Sequence, residues 1–220
     1  MLTRIRGAFL LTGFLALVIL PGALAADDSA RALPTLPKLA PGEDGMHHEP
    51  WFHEGFLDLA EDLAEAGAAG KDMVVIWEQR GCPYCAKMHT VNLRIPDVVD
   101  YLKANFLIVK LDLWGAREVT DFDGEVLEER KLALKWGIRY TPTLQFFKPG
   151  QAPAGQSGKD AEVHRMFGYF YPFHFLTTFQ YIREAAYESE PNFQRYVSAK
   201  GNALEAKGVH VDLMAESLPH

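Results

Sequence analysis

The chain has 220 residues, 48% of them hydrophobic and 23% charged, with 22 Lys and Arg against 29 Asp and Glu and a formal charge of −7. That length holds one domain with trimmings, or two small ones, and can bury a core without disulfide staples. Two cysteines exclude a disulfide-dense scaffold and a four-thiolate zinc site, and an acidic chain lacks the basic footprint that a phosphate backbone needs, so no nucleic acid partner is expected.

Arg4 and Arg6 precede an almost unbroken apolar run from Ala8 to Leu20, and Pro21-Gly22 leads to Ala23-Leu24-Ala25. A charged start, a short apolar core and an A-x-A ending make the pattern of a secretory signal peptide. Cleavage is expected after Ala25, placing the mature chain in the periplasm or otherwise outside the cytoplasm. The apolar run is shorter than the roughly 20 residues of a spanning helix. Residues 26–50 hold Pro34, Pro37 and Pro41 without periodicity and read as a linker.

From Trp51 to Ala68, apolar residues at Phe52, Phe56, Leu57, Leu59, Ala60, Leu63 and Ala64 predict an amphipathic helix. Met73 to Trp77 is a continuous β-prone run, as in a strand covered on both faces. Gly81-Cys82-Pro83-Tyr84-Cys85 follows and opens a helical stretch through Leu93. Pro96 interrupts, a second helical stretch carries Val98, Val99 and Leu102, and Phe106 to Leu111 predicts another buried strand. Asp123-Gly124 marks a small hairpin or turn within Thr120 to Val126, and Leu127 to Trp136 reads as a helix stopped by Gly137. Thr141-Pro142-Thr143 leads into a strand over Leu144 to Phe147. Val163 to Tyr169 alternates like an antiparallel edge strand, a long helix runs from Pro172 to Tyr187, and a short helix and a tail follow Pro191. This order suits a mixed α/β sheet with helices on both faces.

The chemistry is concentrated in Cys82-Pro83-Tyr84-Cys85. A cysteine at the N-terminus of a helix meets unpaired backbone N–H groups and the positive end of the macrodipole, both of which favour its thiolate. Pro83 suits the first turn, where its missing N–H has no intrahelical role. Cys85, one turn further in, can attack a mixed disulfide formed by Cys82 and release the substrate. A zinc site would need two more ligands, for which only His47, His48, His53 and His89 offer themselves, without metal-ligand spacing. A structural disulfide across so short a loop would constrain little unfolded chain. The dithiol-switch reading is preferred, with no metal and no organic cofactor.

The buried strand, the C-x-x-C opening a helix, and Gly137-Ile138-Arg139-Tyr140-Thr141-Pro142-Thr143 before another strand resemble the thioredoxin superfamily from Trp51 to Tyr187. Together with the signal sequence, Lys87-Met88-His89 and Asp121-Phe122-Asp123-Gly124, they resemble bacterial periplasmic thioredoxins of the SoxW type, associated with sulfur oxidation. The resemblance implies a thioredoxin fold, with a mixed central sheet, helices on both faces and a small insertion between the second strand and the helix before the proline. The chain thus divides into a signal peptide (1–25), a linker (26–50), a thioredoxin-like domain (51–190) and a C-terminal helix and tail (191–220). It also implies a cis Thr141–Pro142 bond beside Cys82, with the Thr141 backbone offered to an extended substrate.

The sequence departs from the cytosolic pattern in two places. Pro83-Tyr84 replaces Gly-Pro and matches the glutaredoxin dipeptide. Ile76, six residues before Cys82, stands where thioredoxins carry a buried aspartate. Glu78 shares the facing of Ile76 and is the candidate substitute in proton transfer, against the alternative of a solvated strand-end glutamate. His89, two helical turns beyond Cys82, is about 10 Å away by rise and reads as a core or rim histidine. His47, His48 and His53 read as exposed, and Asp121, Asp123 and Glu125 as an acid-rich turn rather than a calcium loop. The aromatic residues between Tyr169 and Tyr181 read mostly as packing for the last helix.

The expected function is a monomeric, exported thiol–disulfide oxidoreductase acting on protein disulfides. Cys82 is the nucleophile and Cys85 the resolving thiol; Pro83, Tyr84, Thr141 and Pro142 shape the groove, with Glu78 in support. A reductase fed by a membrane thiol–disulfide donor, serving sulfur oxidation or cytochrome maturation, is the preferred direction. The alternatives are a disulfide-introducing oxidant and a non-catalytic binding or chaperone-like module.

Overall fold

The computed structural model describes residues 35–150 and 155–220. The expected signal peptide and the first part of the linker lie outside the described residues. In chain order the elements are α1 (Leu59–Ala68), β1 (Asp72–Glu78), α2 (Pro83–Thr90), α3 (Pro96–Asn105), β2 (Phe106–Asp112), β3 (Glu118–Thr120), β4 (Val126–Glu128), α4 (Glu129–Lys135), β5 (Thr143–Phe147), α5 (Gly158–Ala161), β6 (His164–Phe167), α6 (Pro172–Arg183) and α7 (Phe193–Glu205).

The main sheet has the order β2-β1-β5-β6. β1 and β2 are parallel, with Met73 opposite Leu107 and Glu78 opposite Asp112. β5 runs antiparallel to β1, placing Leu144 opposite Ile76, and β6 pairs antiparallel with β5. Every residue of β1 is buried, as its unbroken apolar run requires of a strand covered on both sides.

Strand alternation divides the core in two. Met73, Val75 and Trp77 pack with Leu59 and Leu63 of α1 and Leu132 of α4. Val74 and Ile76 pack with Met88 of α2, Val98 and Leu102 of α3, and Phe175 and Phe179 of α6. β3 and β4 form a separate antiparallel hairpin between β2 and α4, which is the small insertion the resemblance implied.

The helix expected over Trp51 to Ala68 begins only at Leu59. Leu57 has φ +59°, outside the helical region, and the Asp58 side chain caps the helix by accepting from the N–H groups of Ala60 and Glu61. Upstream, the His53 N–H donates to the Ile108 carbonyl at 2.8 Å, so this stretch bridges the edge of β2 instead of coiling. Phe52 is buried from that extended stretch, which is why its apolar character mimicked a helical face. The long helix expected to reach Tyr187 stops at Arg183, before Ala185 at φ +49°.

Residues 36–49 lie against the domain. The Leu36 N–H donates to the Arg94 carbonyl at 2.7 Å, and Arg94 Nη1 donates to the Pro37 carbonyl at 2.6 Å. Arg80 Nε donates to the Asp44 carbonyl, and Lys110 Nζ to the His47 carbonyl. This segment carries Glu49 and His47 to the dithiol side of the sheet.

Candidate active site

Gly81 turns the chain out of β1 with φ +71°, a conformation glycine adopts without steric cost. Cys82 then occupies the N-cap of α2 in extended geometry, and Pro83 fills the first helical position. Cys82 and Cys85 form a disulfide with Cα atoms 5.3 Å apart. The Cys85 backbone N–H points at Cys82 Sγ at 3.1 Å, so this sulfur takes the place of a capping oxygen. That N–H, with the positive end of the helix dipole, is the field that would stabilise a Cys82 thiolate on reduction.

Across from α2, the Thr141–Pro142 bond is cis and the Thr141 carbonyl lies 3.4 Å from Cys82 Sγ. Pro142 is buried and cannot offer an N–H to the sulfur. Tyr84, within the C-x-x-C turn, and Tyr140, next to Thr141 in the chain, are exposed at 59% and 67% of their full surface. Exposed aromatic rings beside a barely accessible sulfur make a surface that an apolar peptide can cover.

Beneath the dithiol lies a buried charged array. Glu78, at the end of β1, accepts from His89 Nε2 at 2.8 Å, and Glu49 accepts from His89 Nδ1 at 3.0 Å. Arg94 pairs with Glu49 from the other side. Glu78, His89, Glu49 and Arg94 are all buried, and the two carboxylates are matched by two cations when His89 is protonated. Burial pulls the His89 imidazolium down, but the hydrogen bonds to Glu49 and Glu78 outweigh it and its pKa is raised. Burial likewise opposes the Glu49 carboxylate, and hydrogen bonds from His89 and Arg94 hold its pKa below the usual value.

The His47 ring stacks on His89 with centroids 5.1 Å apart and planes 19° from parallel. A cavity of about 230 Å³ is lined by His47, Glu78, Cys82 and Cys85 together. Glu78 is thus a buried member of the site and not a solvated strand end. His89 does not pair with Cys82; it reaches the site through Glu78.

Of the three histidines expected on the surface, His48 is exposed, His53 is half-buried against Asp62 at 2.9 Å, and His47 is buried. Sequence reasoning missed His47, Glu49 and Arg94. Their assembly depends on contacts between segments some 40 residues apart, and only the facing of Glu78 on its strand hinted at it. Among the described residues, no group of three or more His, Cys, Asp or Glu side chains is placed to hold a metal ion. The acid-rich turn is bound to Lys135, whose Nζ donates to Asp123 at 2.6 Å and to Glu125 at 2.8 Å.

A thioredoxin-fold protein from Helicobacter pylori is similar in structure, with a TM-score of 0.51 and 19% identity over 61% of this chain and 86% of that one. A thioredoxin from Thermus thermophilus is 28% identical over 57% of this chain and 83% of its own, with a TM-score of 0.43. No curated protein sequence matches. The model of the thioredoxin-like domain family matches residues 59–182, more than half of the chain and all of the main sheet with its C-x-x-C turn, and the chain belongs to that family.

Proposed function

We propose that the protein is an exported thiol–disulfide oxidoreductase that reduces protein disulfides. The observation that carries this reading is the Cys82–Cys85 disulfide at the N-terminus of α2, with the Thr141 carbonyl 3.4 Å from Cys82 Sγ. In the reduced protein, Cys82 attacks the substrate disulfide as a thiolate favoured by the helix N-terminus. Cys85, more deeply buried, resolves the mixed disulfide. Thr141 and Pro142 form the opposite wall, where an extended peptide can lie against the Thr141 backbone. Pro83 and Tyr84 set the shape of the tip.

The apolar leader with its A-x-A ending supports export to the periplasm. In that compartment a reductase needs a supply of electrons, for which a membrane thiol–disulfide protein is the fitting donor. The resemblance to SoxW-type thioredoxins supports a recipient in sulfur oxidation or cytochrome maturation. The protein would act as a monomer.

Insulin reduction by dithiothreitol tests the activity. The wild-type chain should accelerate it and Cys82→Ser should abolish the acceleration. Equal rates for the two proteins would remove the enzyme reading and leave a binding module with a thioredoxin fold.

A further inference from the structure

The buried array beneath the dithiol contains a basic ring nitrogen with no hydrogen-bond partner among the described residues. Both ring nitrogens of His89 face carboxylates, and Glu78 Oε1 accepts from His89. His47 is 8% exposed, and its Nδ1 is buried without a hydrogen-bond partner among the described residues. An unpaired ring nitrogen in a protein interior carries a desolvation cost, and such atoms call for an explanation in function or in a missing partner. His47 lines the same cavity as Cys82 and Cys85, and the thiol of Cys85 has a proton to lose during turnover.

We propose that His47 accepts the proton that Cys85 releases when it resolves the mixed disulfide, and that Glu78, His89, Glu49 and Arg94 are positioning residues that hold the His47 ring and balance its surroundings. The inference rests on the reductase reading above. In the first step the Cys82 thiolate attacks one sulfur of the substrate disulfide. A Cys82–substrate bond forms, the substrate S–S bond breaks, and its first sulfur leaves as a thiolate. In the second step the Cys85 thiol gives its proton to the His47 imidazole and the Cys85 sulfur attacks Cys82 Sγ. The Cys82–Cys85 bond forms, the Cys82–substrate bond breaks, and the second substrate sulfur leaves with the electron pair. The dithiol loses two electrons and the substrate gains two. His47 then returns its proton to water at the cavity rim, where Pro41 and Gly45 are exposed.

The surroundings suit a base. His89 faces the ring from α2 and Glu78 from β1, Lys110 of β2 holds the His47 carbonyl, and His48 and Glu49 flank it on its own segment, with Arg94 behind Glu49. Burial and the neighbouring His89 charge outweigh a hydrogen bond to the Leu39 backbone and the Glu78 and Glu49 charges and push the His47 pKa below its ordinary 6.5, so the ring is neutral and able to accept at pH 7. A histidine already hydrogen-bonded on both nitrogens, as His89 is, has no lone pair to offer.

The test separates the two chemical steps by stopped flow, with the reduced full-length protein and a fluorescent peptide disulfide between pH 5 and 9. Attack is read in a Cys85→Ser background, which traps the mixed disulfide, and resolution with both cysteines present. His47→Phe keeps a ring on His89 and removes both nitrogens; His47→Gln is a second variant of different shape. Both should leave attack within about twofold of wild type and slow resolution about 100-fold at pH 7, the range of general-base contributions. Both should also lose the fall in resolution rate expected of the wild type as pH drops through the His47 pKa. Unchanged resolution, a retained pH inflection, or equal loss in attack and resolution would overturn the proposal. If the Cys85→Ser protein forms no mixed disulfide, the reductase reading itself fails.

Discussion

The two faces of the sheet each bury a carboxylate cluster, and the two clusters are built differently. On the face of α1 and α4, Asp121 is fully buried and all its acceptor capacity is used. It accepts from the N–H groups of Phe122 and Gly158, from Trp136 Nε1 and from Ser157 Oγ, and Lys135 lies 2.7 Å away. It ties the hairpin turn to α4 and α5. On the face of α2, Glu78 and Glu49 flank His89 and leave His47 Nδ1 and Arg94 Nε unpartnered among the described residues. That cluster shares a cavity with the dithiol. A buried polar network with every group satisfied rigidifies a fold, whereas the second cluster keeps an open position in the lining of the cavity it shares with the dithiol, where the proposed proton acceptor sits.

The largest expected effect falls on the satisfied cluster. Asp121→Ala would leave the N–H groups of Phe122 and Gly158 and Trp136 Nε1 without their acceptor, and should cost about 3–5 kcal/mol in urea unfolding. Insulin reduction per folded molecule should be unchanged. A loss below about 1 kcal/mol would break the contrast by showing that Asp121 is not holding the face together.

A smaller, pH-dependent effect sharpens the same contrast. The folded pKa of His89 is raised above its ordinary 6.5, so its contribution is fully present below that value and is lost as pH rises through the folded pKa. Glu49 is lowered from its ordinary 4.5, so its contribution is present above that value and is lost as pH falls through the folded pKa. The stability gap between wild type and Glu49→Gln should therefore be widest between pH 4.5 and 6.5 and should narrow on the alkaline side. Urea unfolding from pH 4 to 9 measures it. A gap that stays flat between pH 6 and 9 would mean that His89 is not an imidazolium held by Glu49. The Asp121 cluster lacks this sensitivity at its edge. Burial pulls the Lys135 ammonium down, but hydrogen bonds to Asp121, Asp123 and Glu125 outweigh it and keep it charged.

Local signals made much of the architecture legible. The apolar run of β1, Pro96 at the start of α3 and Gly137 at φ +70° after α4 are read from chain neighbours alone. Alternation also put Glu78 on the face of Ile76, hence toward α2. The start of α1 was misread because Phe52 is buried from an extended stretch against β2, and apolar spacing does not distinguish that from a helical face. The place of His47 was illegible for a related reason. Its burial comes from stacking on His89 and from Lys110 holding its carbonyl, contacts that span 42 and 63 residues of sequence. The chemistry of Cys82 and Cys85 could be proposed from local spacing; the charged array beneath them is purely tertiary.

Whether the α2 face carries a dithiol poised to give electrons, as proposed, is read most directly from the equilibrium reduction potential of the Cys82–Cys85 pair against glutathione, measured by thiol alkylation at pH 7. The pair should lie below about −220 mV, the potential of a reductant recharged from elsewhere. A value near −120 mV would make the pair an oxidant and contradict the proposal.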